Sequence, residues 1–306
     1  MFLRTLLALL CLTAPPTAIA GPLREQLQEW SNARQQPLPP EQHSVLRDLA
    51  YGQAALQRLD VYLPAKPMHA PILLMVHGGA WRLGDKQAAA VVDNKIARWL
   101  PKGFILVSIN YRLLPEATPL QQAEDVARAL AFTQQQAASW GGDGNKIILI
   151  GHSAGAHLVS LLAAKPALAG QQGARPWLGT VALDSAALDV VQIMQQPHAR
   201  FYSKAFGTQP AYWAATSPLQ QLDRSATPLL AVCSSQRADS CQQAQGFVAK
   251  ANGLGVQAQL QREDRRHKAI NQDLGLDSAY TQKVEAFMAG LDAEVAQRLT
   301  IKPKVK

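Results

Sequence analysis

Lys146-Ile147-Ile148-Leu149-Ile150-Gly151-His152-Ser153-Ala154-Gly155-Ala156-His157-Leu158-Val159 decides the fold. Its first five residues make an apolar, partly β-branched run that suits a buried strand. From Ala154 to Ala164 the pattern is that of a helix. Between them stands Gly-His-Ser-Ala-Gly, a serine between two glycines at a strand-to-helix turn. Such a turn pushes the Ser153 hydroxyl clear of the sheet. Glycine at 151 and 155 removes Cβ atoms where backbone closes on backbone. The next helix starts beside the hydroxyl, so its free N–H groups and positive dipole end face any oxyanion formed there.

The flanking chain alternates strand and helix. Asp48 to Leu63 reads as two strands joined near Gly52-Gln53, and Ile72 to Val76 as a strand covered on both faces. Helices over 88–100 and 119–140 bracket a strand over 104–109. Strands over 178–183, 227–232 and 256–262 follow, with helices over 241–254 and 280–299. This pattern predicts an α/β fold: a mostly parallel sheet, made mixed by its antiparallel early strands, with helices on both faces. Residues 189–226 break the alternation and carry Phe201, Tyr202, Phe206, Tyr212 and Trp213. They read as a small cap-like insertion near the mouth of the site, within a domain over 46–300.

The ends of the chain read differently. Met1 to Arg4 is a positive start, Thr5 to Thr13 an apolar run, and Ala18-Ile19-Ala20 an A-x-A cleavage site. Residues 1–20 are therefore expected to be a secretory signal, with export to the periplasm or the medium; the run is too short to span a bilayer. No stable membrane insertion is expected. Residues 21–45 are polar and broken by Pro37, Pro39 and Pro40, as in a surface arm. The net charge of +8 is spread along the chain, apart from a basic tail over 302–306. That distribution argues against a nucleic-acid surface. Beyond Cys11 the chain has Cys233 and Cys241. In an oxidising compartment they are expected to form a disulfide, worth roughly 2–3 kcal/mol in the chain-entropy model.

Ligands of such sheets sit at the carboxyl ends of the strands. His77-Gly78-Gly79-Ala80-Trp81 follows a strand directly and can turn its N–H groups inward as an oxyanion loop. The base should follow the last strand, and of seven histidines only His267 does. His77 more naturally braces its own turn, and His152 cannot fold back onto its neighbour's hydroxyl. The acid is sought after strand 227–232, where Asp239 is the carboxylate available and Asp264 the alternative. The expected chemistry is nucleophilic: His267 takes the Ser153 proton, Ser153 attacks an acyl carbonyl, and Asp239 holds the imidazole. The N–H groups of Gly79, Ala80 and Ala154 hold the oxyanion. No His, Cys or carboxylate cluster has convincing ligand spacing and no Gly-rich phosphate loop is present, so no metal or other cofactor is expected.

The chain resembles α/β-hydrolases, and more narrowly esterases of the hormone-sensitive-lipase and arylformamidase-like (BD-FAE-like) branch. The resemblance covers about residues 45–290. It is carried by Leu59-Asp60-Val61-Tyr62-Leu63-Pro64, His77 to Trp81 with Gly84-Asp85-Lys86, Asn110-Tyr111-Arg112-Leu113 with Pro115-Glu116, Asp125-Val126, Gly141-Gly142-Asp143, Gly151 to His157, and His267 with Ile270-Asn271 and Leu274-Gly275. It implies that Gly79, Ala80 and Ala154 donate N–H groups to the oxyanion. It also implies that Tyr111, Arg112, Glu116 and Asp143 are architectural. Ala80 stands where a third glycine is common, and Ser234 to Asp239 lacks the branch's usual Gly-x-x-Asp run. The implied activity is hydrolysis of small carboxylic esters. Amide or formamide hydrolysis and a non-catalytic binding module on the same scaffold are the alternatives.

Overall fold

A computed structural model describes residues 43–301. The expected signal segment, the arm up to residue 42 and the basic tail over 302–306 lie outside the described residues.

Eight strands form one sheet in the order β1-β2-β4-β3-β5-β6-β7-β8. They are β1 His43–Ala50, β2 Arg58–Pro64, β3 Ala70–Val76, β4 Ile105–Ile109, β5 Gly142–His152, β6 Gly179–Leu183, β7 Leu229–Ser234 and β8 Ala258–Glu263. β1 and β2 pair antiparallel, β2 pairs antiparallel with β4, and all later pairs are parallel. β1 thus begins inside the stretch read as an arm.

Every residue of β3, β4, β6 and β7 is buried. That is the mark of parallel strands sandwiched between helical layers. Side chains alternate between two cores. Ile72, Leu74 and Val76 pack with helices α2 Pro119–Gln136, α3 Ala154–Ala164 and α4 Ala238–Gly253 through Val126, Leu130, Leu158, Leu162 and Phe247. Leu73 and Met75 face the other way, onto α1 Ala89–Trp99 and α5 Ala279–Ala289 through Val92, Ile96, Trp99, Val284 and Phe287.

The terminal region departs from the expected single helix over 280–299. α5 stops at Gly290, and a second helix, Ala293–Leu299, starts on an Asp292 side chain that accepts from the Glu294 and Val295 N–H groups. A capping aspartate two residues after a glycine outweighs a continuous apolar period. The insertion consists of four short helices, Val190–Met194, Arg200–Phe206, Pro210–Thr216 and Pro218–Gln221.

β4 and β5 flank β3 on opposite sides, so the strand order reverses at β3. The crevice at such a reversal opens beside the carboxyl ends of β3 and β5, where His77 and Ser153 follow.

The antiparallel edge is tied to this crevice by a buried charge. The Asp60 carboxylate on β2 is fully buried and lies 2.6 Å from both Arg47 Nη1 and Lys86 Nζ. It also accepts from the Asp48 N–H at 2.9 Å. Burial alone would raise its pKa; the Asp48 N–H, Lys86 and Arg47 outweigh that and hold it below the usual value. Asp60→Asn leaves the buried Lys86 short of a counter-charge and should destabilise the protein by about 3–5 kcal/mol in urea melts at pH 7. The Asp60 contribution is complete above the unfolded carboxyl's pKa of about 4 and vanishes as pH falls through the lower folded value. The difference between the two proteins should therefore shrink in acid.

Candidate active site

Ser153 stands between β5 and α3 with φ 54° and ψ −115°. Positive φ is rare for a residue with a Cβ and persists where the surroundings impose it. Here they do. A Cβ on Gly151 would lie 2.4 Å from the Gly155 carbonyl oxygen, and one on Gly155 would lie 2.3 Å from that of Val76. The Ser153 N–H donates to the Leu183 carbonyl at the end of β6, at 2.9 Å.

His267 opens the short helix His267–Gln272 after β8, and its Nε2 lies 3.0 Å from Ser153 Oγ. Its Nδ1 lies 2.6 Å from Asp184 Oδ2. Asp184 follows β6 directly and is itself at φ 53°. The Asp184 side chain is fully buried. Burial pushes its pKa up, but His267, the Ser240 hydroxyl and the Ser234 N–H more than offset this and hold the carboxyl far below its ordinary range. It is therefore an anion at any physiological pH.

The structure thus places Asp184, rather than the expected Asp239, against His267. Asp239 does not reach His267. Its side chain is 59% exposed, 3.5 Å from Arg237 Nη2, and its Oδ1 accepts from the Ser240 N–H. Asp239 lies in the first turn of α4, whereas Asp184 directly follows the strand beside β5. Asp264 is bonded to Gln236 Nε2 at 3.0 Å. The signal for Asp184 was present: a lone carboxylate immediately after the apolar run ending at Leu183.

The loop after β3 stands against the serine, since a Cβ on Gly78 would lie 2.9 Å from Ser153 Cβ. It is strained over three residues, with φ 125° at Gly79, 51° at Ala80 and 59° at Trp81. Ala154 is the first residue of α3, so its N–H has no intrahelical acceptor. His77 is buried, stacks on Tyr111 with centroids 4.5 Å apart, and its Nδ1–H donates to the Gly78 carbonyl at 2.7 Å. The Tyr111 hydroxyl donates to the His77 carbonyl at 3.0 Å. Burial lowers the pKa of His77. His152 is held well below its ordinary value by burial and by His267, and its Nε2–H donates to the His267 carbonyl at 3.0 Å. That contact fixes the His267 backbone, and nothing in the sequence pattern marks it.

Cys233 and Cys241 are joined by a disulfide, with Cα atoms 5.1 Å apart. Arg237, within the loop so closed, places Nη1 3.0 Å from Asp184 Oδ2 and 2.7 Å from His267 Nδ1. Beside it opens a cleft of about 410 Å³ whose walls include Phe201, Tyr202, His198 and Arg237. The insertion is seated here by Phe206, whose ring meets Trp81 at 4.9 Å.

Fold and site together define an α/β-hydrolase of the hormone-sensitive-lipase-like esterase branch. The BD-FAE family model matches residues 59–245, and the chain belongs to that family. Among curated relatives, it is 36% identical over 117 residues to a probable isoprenylcysteine alpha-carbonyl methylesterase ICME of Oryza sativa subsp. japonica, covering 38% of this chain and 28% of that protein. It is 31% identical over 198 residues to esterase LipQ of Mycobacterium tuberculosis, covering 59% and 46%. The chain thus spans from under a third to about half the length of these relatives. The fold matches esterase B from Lactobacillus rhamnosis with a TM-score of 0.71 at 18% identity, over 90% of this chain and 93% of that one. It also matches a truncated carbohydrate esterase from gut microbiota, with a TM-score of 0.70 at 18% identity, over 87% and 100%.

His157 on α3 joins the strained loop to the insertion. Trp81 Nε1–H donates to its Nδ1 at 3.1 Å, and its Nε2–H donates to the Thr216 carbonyl at 2.7 Å. Only the neutral ring can make both bonds, and burial lowers its pKa to about 4. Unfolding restores a value near 6.5, so between about pH 6.5 and 4 the unfolded chain binds the extra proton. This contribution is complete above pH 6.5 and is lost as pH falls toward 4. His77 and His152 act in the same direction. Urea melts should therefore show a stability loss on the order of 3 kcal/mol or more between pH 7 and pH 4.5, with a shallower slope in His157→Gln.

Proposed function

We propose that the protein is an exported serine hydrolase that cleaves small carboxylic esters through Ser153, His267 and Asp184. The observation that carries this reading is the continuous relay from Ser153 Oγ to His267 Nε2 at 3.0 Å and from His267 Nδ1 to Asp184 Oδ2 at 2.6 Å. Geometry of this kind defines a triad irrespective of chain position. The esterase names of the relatives support the reaction class.

In this reading His267 Nε2 accepts the hydroxyl proton while Ser153 Oγ bonds to the ester carbonyl carbon. The carbonyl oxygen becomes an oxyanion before the N–H groups of Gly79, Ala80 and Ala154. His267 then delivers the proton to the departing alkoxide, leaving an acyl-serine and an alcohol. Water, deprotonated by His267, attacks the acyl carbon and frees the acid and Ser153. Asp184 fixes the Nδ1–H tautomer and balances the imidazolium charge. The apolar leader with its A-x-A site and the Cys233–Cys241 bridge both favour export.

The test is turnover of p-nitrophenyl acetate, butyrate and octanoate. Activity should fall with chain length and be abolished in Ser153→Ala. Asp184→Asn should lose on the order of 10⁴-fold in kcat while remaining folded at the assay temperature with a lowered melt. Asp239→Asn, an exposed change, should stay within a few-fold of the parent. Full activity in Asp184→Asn would overturn the assignment of the acid.

A further inference from the structure

Besides His267, three donors to the Asp184 carboxylate come from one short segment of the described residues. The Ser234 N–H donates to Oδ1 at 2.8 Å, the Ser240 hydroxyl donates to the same oxygen, and Arg237 Nη1 donates to Oδ2 at 3.0 Å. All three lie between Cys233 and Cys241, and the disulfide closes that segment into a ring. The ring also holds the approach to the base. The Ser235 N–H donates to the Glu263 carbonyl at 2.9 Å, the Ser234 hydroxyl donates to the Arg265 carbonyl, and Gln236 Nε2 donates to Asp264 Oδ1 at 3.0 Å. Asp184 sits at φ 53°, a conformation kept only where neighbours over-determine it. Its direction is therefore set by these donors rather than by its own backbone.

We infer that the disulfide ring Cys233–Cys241 is a positioning device for the triad, holding Ser234, Arg237 and Ser240 on Asp184 so that His267 stays aligned with Ser153. The inference rests on the proposed triad. Ser240 and Arg237 are positioning residues acting through Asp184. The ring is not what keeps the sheet together: β7 is paired on both sides, and α4 is anchored by Ala244, Phe247 and Ala251 in the core. Opening the ring frees the donors while the fold remains, and the loss falls on turnover rather than on substrate binding.

The experiment compares the oxidised protein with the same protein treated with tris(2-carboxyethyl)phosphine. The phosphine breaks the S–S bond, water supplies the protons for both thiols, and its oxygen leaves as the phosphine oxide. Iodoacetamide labelling and intact mass verify the thiols, and circular dichroism verifies that the reduced protein is folded at the assay temperature. With p-nitrophenyl butyrate, kcat should fall about 10- to 100-fold on reduction, as for a misplacement of about 1 Å. KM should move by no more than about three-fold, the signature of a lost transition-state interaction. Phosphonylation of Ser153 by a fluorophosphonate should slow in parallel. Cys233→Ser/Cys241→Ser should match the reduced protein and be insensitive to the phosphine. Should that variant not fold, Ser240→Ala with the bridge intact takes its place: it should lower kcat, and reduction should add less to it than to the parent. A folded, reduced protein with the oxidised kcat and phosphonylation rate would overturn the inference, as would a change confined to KM. An oxidised protein that neither hydrolyses esters nor labels at Ser153 would instead remove the triad reading itself.

Discussion

The contact between Asp184 Oδ2 and His267 Nδ1 at 2.6 Å is the constraint on which the site depends. A fully buried carboxylate is costly unless its lone pairs are filled, and an unpaired one would simply take up a proton. Asp184 is filled from four directions, and its pKa is driven down rather than up. The cost of burying it is met by the Ser234 N–H and by three side chains, His267, Ser240 and Arg237, while its own backbone is committed to the sheet. The Asp184 N–H donates to the Val232 carbonyl at 2.7 Å, continuing the β6–β7 ladder past its last named pair. The Ser153 N–H donates to the Leu183 carbonyl, so Ser153 and Asp184 hang from the same strand end. The backbones of the two are therefore placed by the sheet, while the direction of the Asp184 carboxylate is set by the donors of the loop after β7.

Three further histidines surround this core, and each is arranged to stay neutral. His77 holds the Gly78 carbonyl, His152 holds the His267 carbonyl, and His157 bridges Trp81 and Thr216. In the proposed mechanism a second imidazolium beside His267 would oppose the positive charge that His267 acquires. Burial prevents this while leaving each ring one N–H with which to fix a carbonyl. Strain is concentrated in the same region: Ala80, Trp81, Ser153 and Asp184 all carry positive φ without being glycine. Such conformations are tolerable because rigid strands and buried hydrogen bonds fix both ends of each turn.

Much of this was legible in the sequence, for physical reasons that differ by element. The buried strands announce themselves because parallel strands covered on both faces must be apolar throughout, as in Ile72 to Val76 and Ile147 to Ile150. Ser153 was legible because only a small-residue turn lets backbone approach as closely as Gly155 approaches Val76. His267 followed from its place after the last strand. The acid did not, because a carboxylate needs only to reach the imidazole. Both Asp184 and Asp239 stand at or near strand ends, and the choice between them lies in burial, which spacing does not encode. His152 was set aside as a base for a sound reason, but its use as a clamp on the His267 carbonyl depends on a contact across 115 positions of sequence.

The shift of the acid by one strand also explains the composition of the loop after β7. β6 lies between β5 and β7, with Leu183 opposite Val232, so an aspartate after either β6 or β7 starts close to the same imidazole. With the carboxylate beside His267 supplied from β6, the segment after β7 solvates it through Ser234, Arg237 and Ser240. Ser234, Arg237 and Ser240 are donors, and a Gly-x-x-Asp turn at this place would bring a second anion toward Asp184 rather than a hydrogen bond. The one carboxylate that remains there, Asp239, is turned outward onto Arg237 and solvent. The departure of Ser234 to Asp239 from the family pattern and the position of Asp184 thus meet one electrostatic requirement: a single buried negative charge beside His267, with the loop after β7 arranged to donate to it.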